Sequence, residues 1–337
     1  MSSSIISSDK APHFYPRGWF VICASQNLAV AEVKPLKYFG KDWVLFRGQD
    51  GTAVLLDAYC PHLGAHLGIG GIVVDNSIQC PFHAWRFGAQ GQCVDIPYAK
   101  HKPAKAFTQS YPLCERNGVI FMWHDSDGGT PEYDVPQLTE YGHAEWQPWT
   151  IEGIDIKTQS REVMENVADV AHFKYVHNMG EVTYFENIYT DTTATQIMRG
   201  QGDLGTMQSD ATYYGPGFQI TEMTAVFESR LLNANTPIDE NSIHLWFGVM
   251  LKKQEIQEDI RSLLSQVYEY EFPSTMDSQA AQIIANVYCD RIRQGYYEDV
   301  QIWEHKVWRD APNLCDGDGP LTKLRKWYAQ FHLPKAA

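Results

Sequence analysis

No apolar run in this chain of 337 residues approaches the ~20 residues that a membrane-spanning helix needs, so no membrane span is expected. The N-terminal MSSSIISSDK has neither a charged n-region nor a long apolar core, so no secretory leader is expected either, and the expected location is cytoplasmic. Positive charge is scarce: 27 Lys and Arg stand against 41 Asp and Glu, for a formal net charge of −14. That balance excludes a general nucleic-acid binder, whose phosphate contacts need a basic face, but leaves room for a local basic patch that docks a protein. Cysteine is sparse as well. The seven are odd in number and irregular in spacing, unlike a disulfide framework, and Cys23, Cys93, Cys114, Cys289 and Cys315 are expected to be reduced packing residues. There is no internal repeat, no low-complexity tract and no Gly-rich dinucleotide fingerprint, so direct binding of a nicotinamide cofactor is not expected.

What remains has the composition of a globular chain, 44% hydrophobic and 20% charged, and is long enough for two domains. From Gly18 to Trp123 short β-rich runs (VLFRG, AVLLDAYC, SIQCPFHAWRFG, GVIFMWH) alternate with turns such as Gly48-Gln49-Asp50-Gly51. These predict an all-β first domain. The polar stretch Asp125 to Pro131 predicts a boundary, placed so that the domains run 1–126 and 127–337. Beyond it, Ser160 to His177 predicts a helix with Val163, Val167, Val170 and Ala171 at helical spacing. Strands follow between 205 and 252, and a second long helix between 278 and 308. The second domain is therefore α+β.

Two constellations stand out. Cys60-Pro61-His62 and, seventeen residues on, Cys80-Pro81-Phe82-His83 give C-x-H-x17-C-x2-H. Two thiolates and two imidazoles from paired β-domain loops suit a Rieske [2Fe–2S] cluster, with two Cys on one iron and two His on the other. Zinc is the competing reading, although zinc fingers usually pair Cys with Cys and His with His, whereas each pair here is mixed. His66 lies on the same loop at a spacing unsuited to ligation. Trp85 either covers the cluster or is plain core.

The second constellation is Asp169, His172 and His177, a D-x2-H-x4-H pattern. Asp169 and His172 would share a helix face. His172 and His177 are five apart, so a bulge or helix end between them is needed to bring both imidazoles onto one metal. Two His and a carboxylate form the ligand set of mononuclear non-haem Fe(II) oxygenases, which leaves positions open for O2. The carboxylate would come from Glu298, Asp299 or Glu304 on the second long helix; Glu298 points about 100° away from Asp299 there.

CPHLGAHLG followed by CPFHAWRFG resembles the Rieske domain of ring-hydroxylating and related oxygenases. Ala65 and Phe82 stand where respiratory Rieske proteins carry a loop-linking disulfide, so the resemblance is to the lower-potential oxygenase type. Nearly the whole chain is similar to the oxygenase component of bacterial 3-ketosteroid 9α-hydroxylases. The similarity extends to Pro16-Arg17-Gly18-Trp19, Ile96-Pro97-Tyr98-Ala99, Glu115-Arg116-Asn117-Gly118-Val119, Tyr213-Tyr214-Gly215-Pro216, Asp318-Gly319-Pro320 and Arg325-Lys326-Trp327-Tyr328.

The resemblance implies a catalytic domain with an antiparallel sheet flanked by helices, of helix-grip type. It implies a [2Fe–2S] cluster on Cys60, His62, Cys80 and His83, and Fe(II) on His172, His177 and Asp299. Asp169 would bridge a cluster histidine of a neighbouring subunit to an iron-binding histidine in a head-to-tail homotrimer, and its carboxylate would also fix that histidine's tautomer. A separate reductase with flavin and iron–sulfur, with or without a ferredoxin, would supply electrons for O2-dependent monooxygenation of an apolar, steroid-like polycycle. Demethylation, desaturation and dihydroxylation use the same centre. Phe218, Ile220, Phe227, Leu245, Trp246 and Phe247 are candidates to line its cavity or to be sheet core. A pure Rieske electron carrier and a zinc-stabilised binding protein are the rival classes.

Overall fold

A computed structural model describes residues 14–202 and 205–333. The leader expectation for MSSSIISSDK therefore lies outside the described residues. The chain divides into two compact units. Among the described residues, the first comprises those through Val135 together with Thr236–Asn241, His332 and Leu333. It holds strands β1 (Gly18–Ala24), β2 (Val33–Tyr38), β3 (Lys41–Arg47), β4 (Ala53–Asp57), β5 (Ile72–Val74), β6 (Ser77–Gln79), β7 (Arg86–Gly88), β8 (Cys93–Asp95), β9 (Leu113–Arg116) and β10 (Val119–His124). They form three antiparallel sheets in the orders β1-β10-β9, β2-β3-β4 and β5-β6-β7-β8.

The all-β expectation holds here, and the reasons are local. Every residue of β1 is buried, so it reads as a continuous apolar run rather than an alternating one. Pro35 sits on the edge strand β2, where its missing N–H leaves no gap in a central ladder. The Gly48–Gly51 turn closes through Gly51 N–H donating to Gly48 O at 3.0 Å, with Gly51 at φ +86°. Thr236–Asn241 is tied in by the Thr236 hydroxyl, which donates to Val21 O at 2.6 Å, and by Phe39 N–H, which donates to Pro237 O at 2.8 Å.

The second unit contains β11 (Thr150–Ile156), α1 (Ser160–Glu165), α2 (Ala171–Tyr175), β12 (Val182–Tyr189), β13 (Thr193–Gly202), β14 (Gly205–Tyr214), β15 (Phe218–Thr224), β16 (Glu228–Pro237, as far as Asn235), β17 (Ile243–Leu251), α3 (Glu258–Tyr268), α4 (Ser278–Trp303) and α5 (Leu321–Ala329). Its seven strands make one large antiparallel sheet, ordered β11-β17-β16-β15-β14-β13-β12. The apolar stripe of α4 (Ala281, Ile284, Ala285, Cys289) packs with Phe247, Val249 and Leu251 of β17 in one core. Asp277 caps α4 by accepting from Ala280 N–H at 2.8 Å.

The single helix expected over 160–177 is instead two short ones. The carbonyls of Asn166 and Val167 would serve a continuous helix; the Gln196 side chain takes both, at 3.3 and 2.9 Å, and Asn187 also donates to Val167 O at 2.8 Å. With those acceptors occupied by the sheet the helix stops at Glu165 and restarts at Ala171. Asp169 thus lies before α2 and does not share a helix face with His172.

Candidate metal centres and substrate cavity

In the first unit, two loops repeat one design. Cys60 N–H donates to Ala65 O and Gly64 N–H returns to Cys60 O, both at 2.9 Å. Cys80 N–H donates to Trp85 O at 2.8 Å, and Ala84 N–H returns to Cys80 O at 3.1 Å. The fourth residue after each cysteine is left-handed, Gly64 at φ +74° and Ala84 at φ +56°. Each loop therefore turns its cysteine inward, and both cysteines are buried and free of disulfide.

The histidines follow onto the same spot. The His62 and His83 rings lie 4.8 Å apart, and His62 stacks on Trp85 at 4.5 Å with the planes within 8°. Trp85 is buried and donates its indole N–H to the Tyr98 hydroxyl at 2.7 Å. So Trp85 belongs to the core and also backs a cluster-ligand candidate. His66 is turned away from ligation: its Nδ1 accepts from Gly68 N–H at 3.0 Å. Burial pushes the Cys60 thiol up to about 11, with the adjacent Cys80 thiol adding to the effect. His83 Nδ1 is buried with no hydrogen-bond partner among the described residues. Two adjacent buried cysteines, a Cys60 thiol that resists ionisation and an orphaned imidazole nitrogen are what a bound cationic cluster would relieve, so the residues fit the group.

In the second unit, His172 on α2, His177 just past its end and buried Asp299 on α4 bring one ligand atom each to within 4.8 Å of the others. The required helix end is present, because α2 stops at Tyr175. His177 Nε2 lies 3.4 Å from Asp299 Oδ2. Both tautomers are set from behind. His172 Nδ1–H donates to the main-chain oxygen of Asp169 at 2.6 Å, and His177 Nδ1–H donates to Glu298 Oε2 at 2.9 Å, which leaves both Nε2 lone pairs for a cation. Asn166 Nδ2 donates to Asp299 Oδ2 at 3.3 Å. Burial lowers the His172 pKa, whereas Asp299 foremost, with Glu298, raises that of His177.

Two expectations change here. The Asp169 carboxylate does not fix the tautomer; its Oδ1 accepts from His172 N–H at 3.3 Å and stands 3.9 Å from Nδ1, so the main-chain carbonyl does that work. Glu298, set aside because it points away from Asp299, is thereby placed to reach the far nitrogen of His177. Its position directly before Asp299 was the only signal for it.

These three ligand candidates line a cavity of about 330 Å³. Its walls are mostly apolar, including Val163, Phe173, Met179, Met198, Leu231 and Trp303. None of the six aromatic and aliphatic residues expected as lining candidates is among them. Phe218 and Ile220 are buried on the other face of β15, whose cavity face carries Gln219, Thr221 and Met223, and Phe227, Leu245 and Phe247 are buried in core contacts with α4.

Residues 18–112 match the Rieske [2Fe-2S] domain model, and residues 122–272 and 263–332 match that of the 3-ketosteroid 9alpha-hydroxylase C-terminal domain. The chain is 36% identical over 96% of its length to a Rhodococcus rhodochrous protein named as a probable 3-ketosteroid-9-alpha-monooxygenase oxygenase component, covering 81% of that protein. It is 31% identical, over 96% of its length and 70% of the relative, to a Ciona intestinalis protein named cholesterol 7-desaturase. Among solved structures it resembles dicamba monooxygenase bound to dicamba with a TM-score of 0.68 at 19% identity, covering 96% of this chain and 98% of that one.

Proposed function

The chain belongs to the 3-ketosteroid 9α-hydroxylase family of Rieske oxygenases, and from that premise we propose that it hydroxylates an apolar polycyclic ketone of steroid type with O2. The observation that carries this reading is the convergence of His172, His177 and Asp299 on the wall of a largely apolar cavity. Its volume lies at the lower end of the roughly 300–1,000 Å³ typical of pockets for drug-sized ligands, which suits a flat, rigid ring system.

Residues 1–126 are the electron-accepting domain, with the cluster held by Cys60, His62, Cys80 and His83. Residues 127–337 are the catalytic domain, with Fe(II) held by His172, His177 and Asp299. When bound, the two centres supply stored electrons and O2 activation. The chain's own side chains do the rest. Asp169 O and Glu298 keep protons on the outer nitrogens of the two imidazoles, and Asn166 holds one oxygen of Asp299 in place. The apolar walls exclude water and seat the substrate. The Asp169 carboxylate, 37% exposed, is the contact for a cluster histidine of the neighbouring subunit in a head-to-tail homotrimer. Electrons come from NAD(P)H through a separate reductase carrying flavin and iron–sulfur, with or without a ferredoxin. No helix among the described residues is long and apolar enough to cross a membrane, and a cytoplasmic location fits the NAD(P)H supply.

Desaturation is the second reading, favoured by the similarity to the Ciona intestinalis relative over 96% of this chain. The same iron site serves both, and the substrate bond presented to it decides. The test is turnover of a 3-ketosteroid by the purified protein with a surrogate reductase, NADH and O2, followed by mass spectrometry. Gain of one oxygen atom supports hydroxylation, and loss of two hydrogens moves the assignment to the second reading. A cluster that reduces and reoxidises with no steroid consumed overturns both.

A further inference from the structure

The cavity wall contains one rung that does not fit an apolar pocket. The sheet register sets Tyr213 of β14 opposite Gln219 of β15, and Gln219 opposite Asn233 of β16. The next rung is Ala211, Thr221 and Leu231, and all six residues line the cavity. A polar rung facing an apolar chamber costs desolvation unless each group finds a partner or a ligand brings one.

The hydrogen bonds along this rung have a direction. Tyr296 of α4 donates its hydroxyl proton to Asn233 Oδ1 at 2.7 Å. Tyr296 is half-buried, and burial holds its phenol pKa well above the usual value, so it keeps the proton that it donates. The Asn233 amide is turned with its oxygen toward that hydroxyl and its nitrogen toward β15. Asn233 Nδ2 then donates to Gln219 Oε1 at 3.1 Å. That fixes Gln219 in turn and leaves its Nε2, with two protons, without a partner among the described residues. Gln219 is 9% exposed and lines the same cavity as His172, His177 and Asp299.

We infer that Gln219 is a specificity-determining residue whose Nε2 donates to a carbonyl oxygen of the substrate, with Asn233 and Tyr296 as positioning residues that hold it in the donor orientation. This deepens the ketone-substrate reading and rests on it. The relay presents only donors at this point, so a ketone satisfies it and a saturated carbon does not. A hydroxyl must spend a lone pair here and place its own proton elsewhere. Anchoring the carbonyl fixes which carbon of a rigid ring system faces the metal ligands, so the same contact sets regiochemistry.

The experiment uses the iron-loaded protein and measures dissociation constants by equilibrium dialysis for matched pairs. These are a 3-ketosteroid with its 3-deoxy analogue, and fluorenone with fluorene. The wild type is expected to prefer each ketone by roughly tenfold or more, because a buried donor left unpaired is costly. Gln219→Leu should remove that preference, with less than about a threefold change for the deoxy compounds. Tyr296→Phe keeps Gln219 but releases its orientation; the preference should shrink, and steroid turnover should give a mixture of positional products. Circular dichroism identifies a variant that fails to fold, and the other variant then carries the test. Preference for fluorenone without steroid binding would support the relay and overturn the steroid reading. No ketone preference in the wild type, or one unchanged in both folded variants, overturns the relay.

Discussion

At the scale of single residues, the metal-ligand candidates matter less than what holds them. His177 is aimed by Glu298 and His172 by a main-chain oxygen, and these supports behave differently under mutation. Removing the carboxylate in Glu298→Leu should lower iron affinity about 10- to 100-fold, as loss of such outer partners usually does. Iron retained after dialysis against a chelator, compared with the wild type, measures this. Asp169→Ala keeps the carbonyl, because every residue carries one. It should keep full iron and cluster content yet lose reductase-driven turnover; retained turnover would refute a bridging role for the carboxylate. In the sequence the spacing of His172 and His177 was informative, and Asp299 could be chosen only through family resemblance. Glu298, Asn166 and the Gln219–Asn233 pair were not legible, because their roles depend on hydrogen bonds between residues more than a dozen positions apart or facing across strands.

At the scale of elements, the break between α1 and α2 is the feature that shapes the site. Periodicity predicted one helix there, since Val163, Val167, Val170 and Ala171 do keep helical spacing. The override comes from β12 and β13, whose Asn187 and Gln196 occupy helix carbonyls, and from the segment before α5. Gly319 approaches so closely that a Cβ there would lie 1.5 Å from Ala168 O. This gives a physical reason for the Asp318-Gly319-Pro320 match in the resemblance. Gly319→Ala should cost about 1–3 kcal/mol, as overpacking does, and displace the turn that leads into His172. The expected outcome is a lower melting temperature with reduced iron occupancy but an unaltered cluster spectrum. The first unit shows the opposite case. Its all-β character was legible from four runs that contain or overlap β3, β4, β6, β7 and β10, because short strands and tight turns depend on local sequence.

At the scale of the whole molecule, the two constellations fall in different compact units. The wild type should hold close to three irons and two acid-labile sulfides per chain. In His172→Ala the count should fall toward two irons while the cluster's visible and reduced-state EPR spectra persist and oxygenation is lost. Zinc without sulfide would overturn the assignment of the first site. Finally, α4 carries Tyr296, Glu298 and Asp299 within four consecutive positions of a 26-residue helix. A rod of that length, about 39 Å, moves as one body. The proposed substrate relay, the hydrogen bond that aims His177 and the candidate carboxylate ligand thus share one chassis, so a pull on the phenol is also a pull on Asp299. The metal's spectrum should therefore report whether the chamber is full, even for a ligand too inert to react.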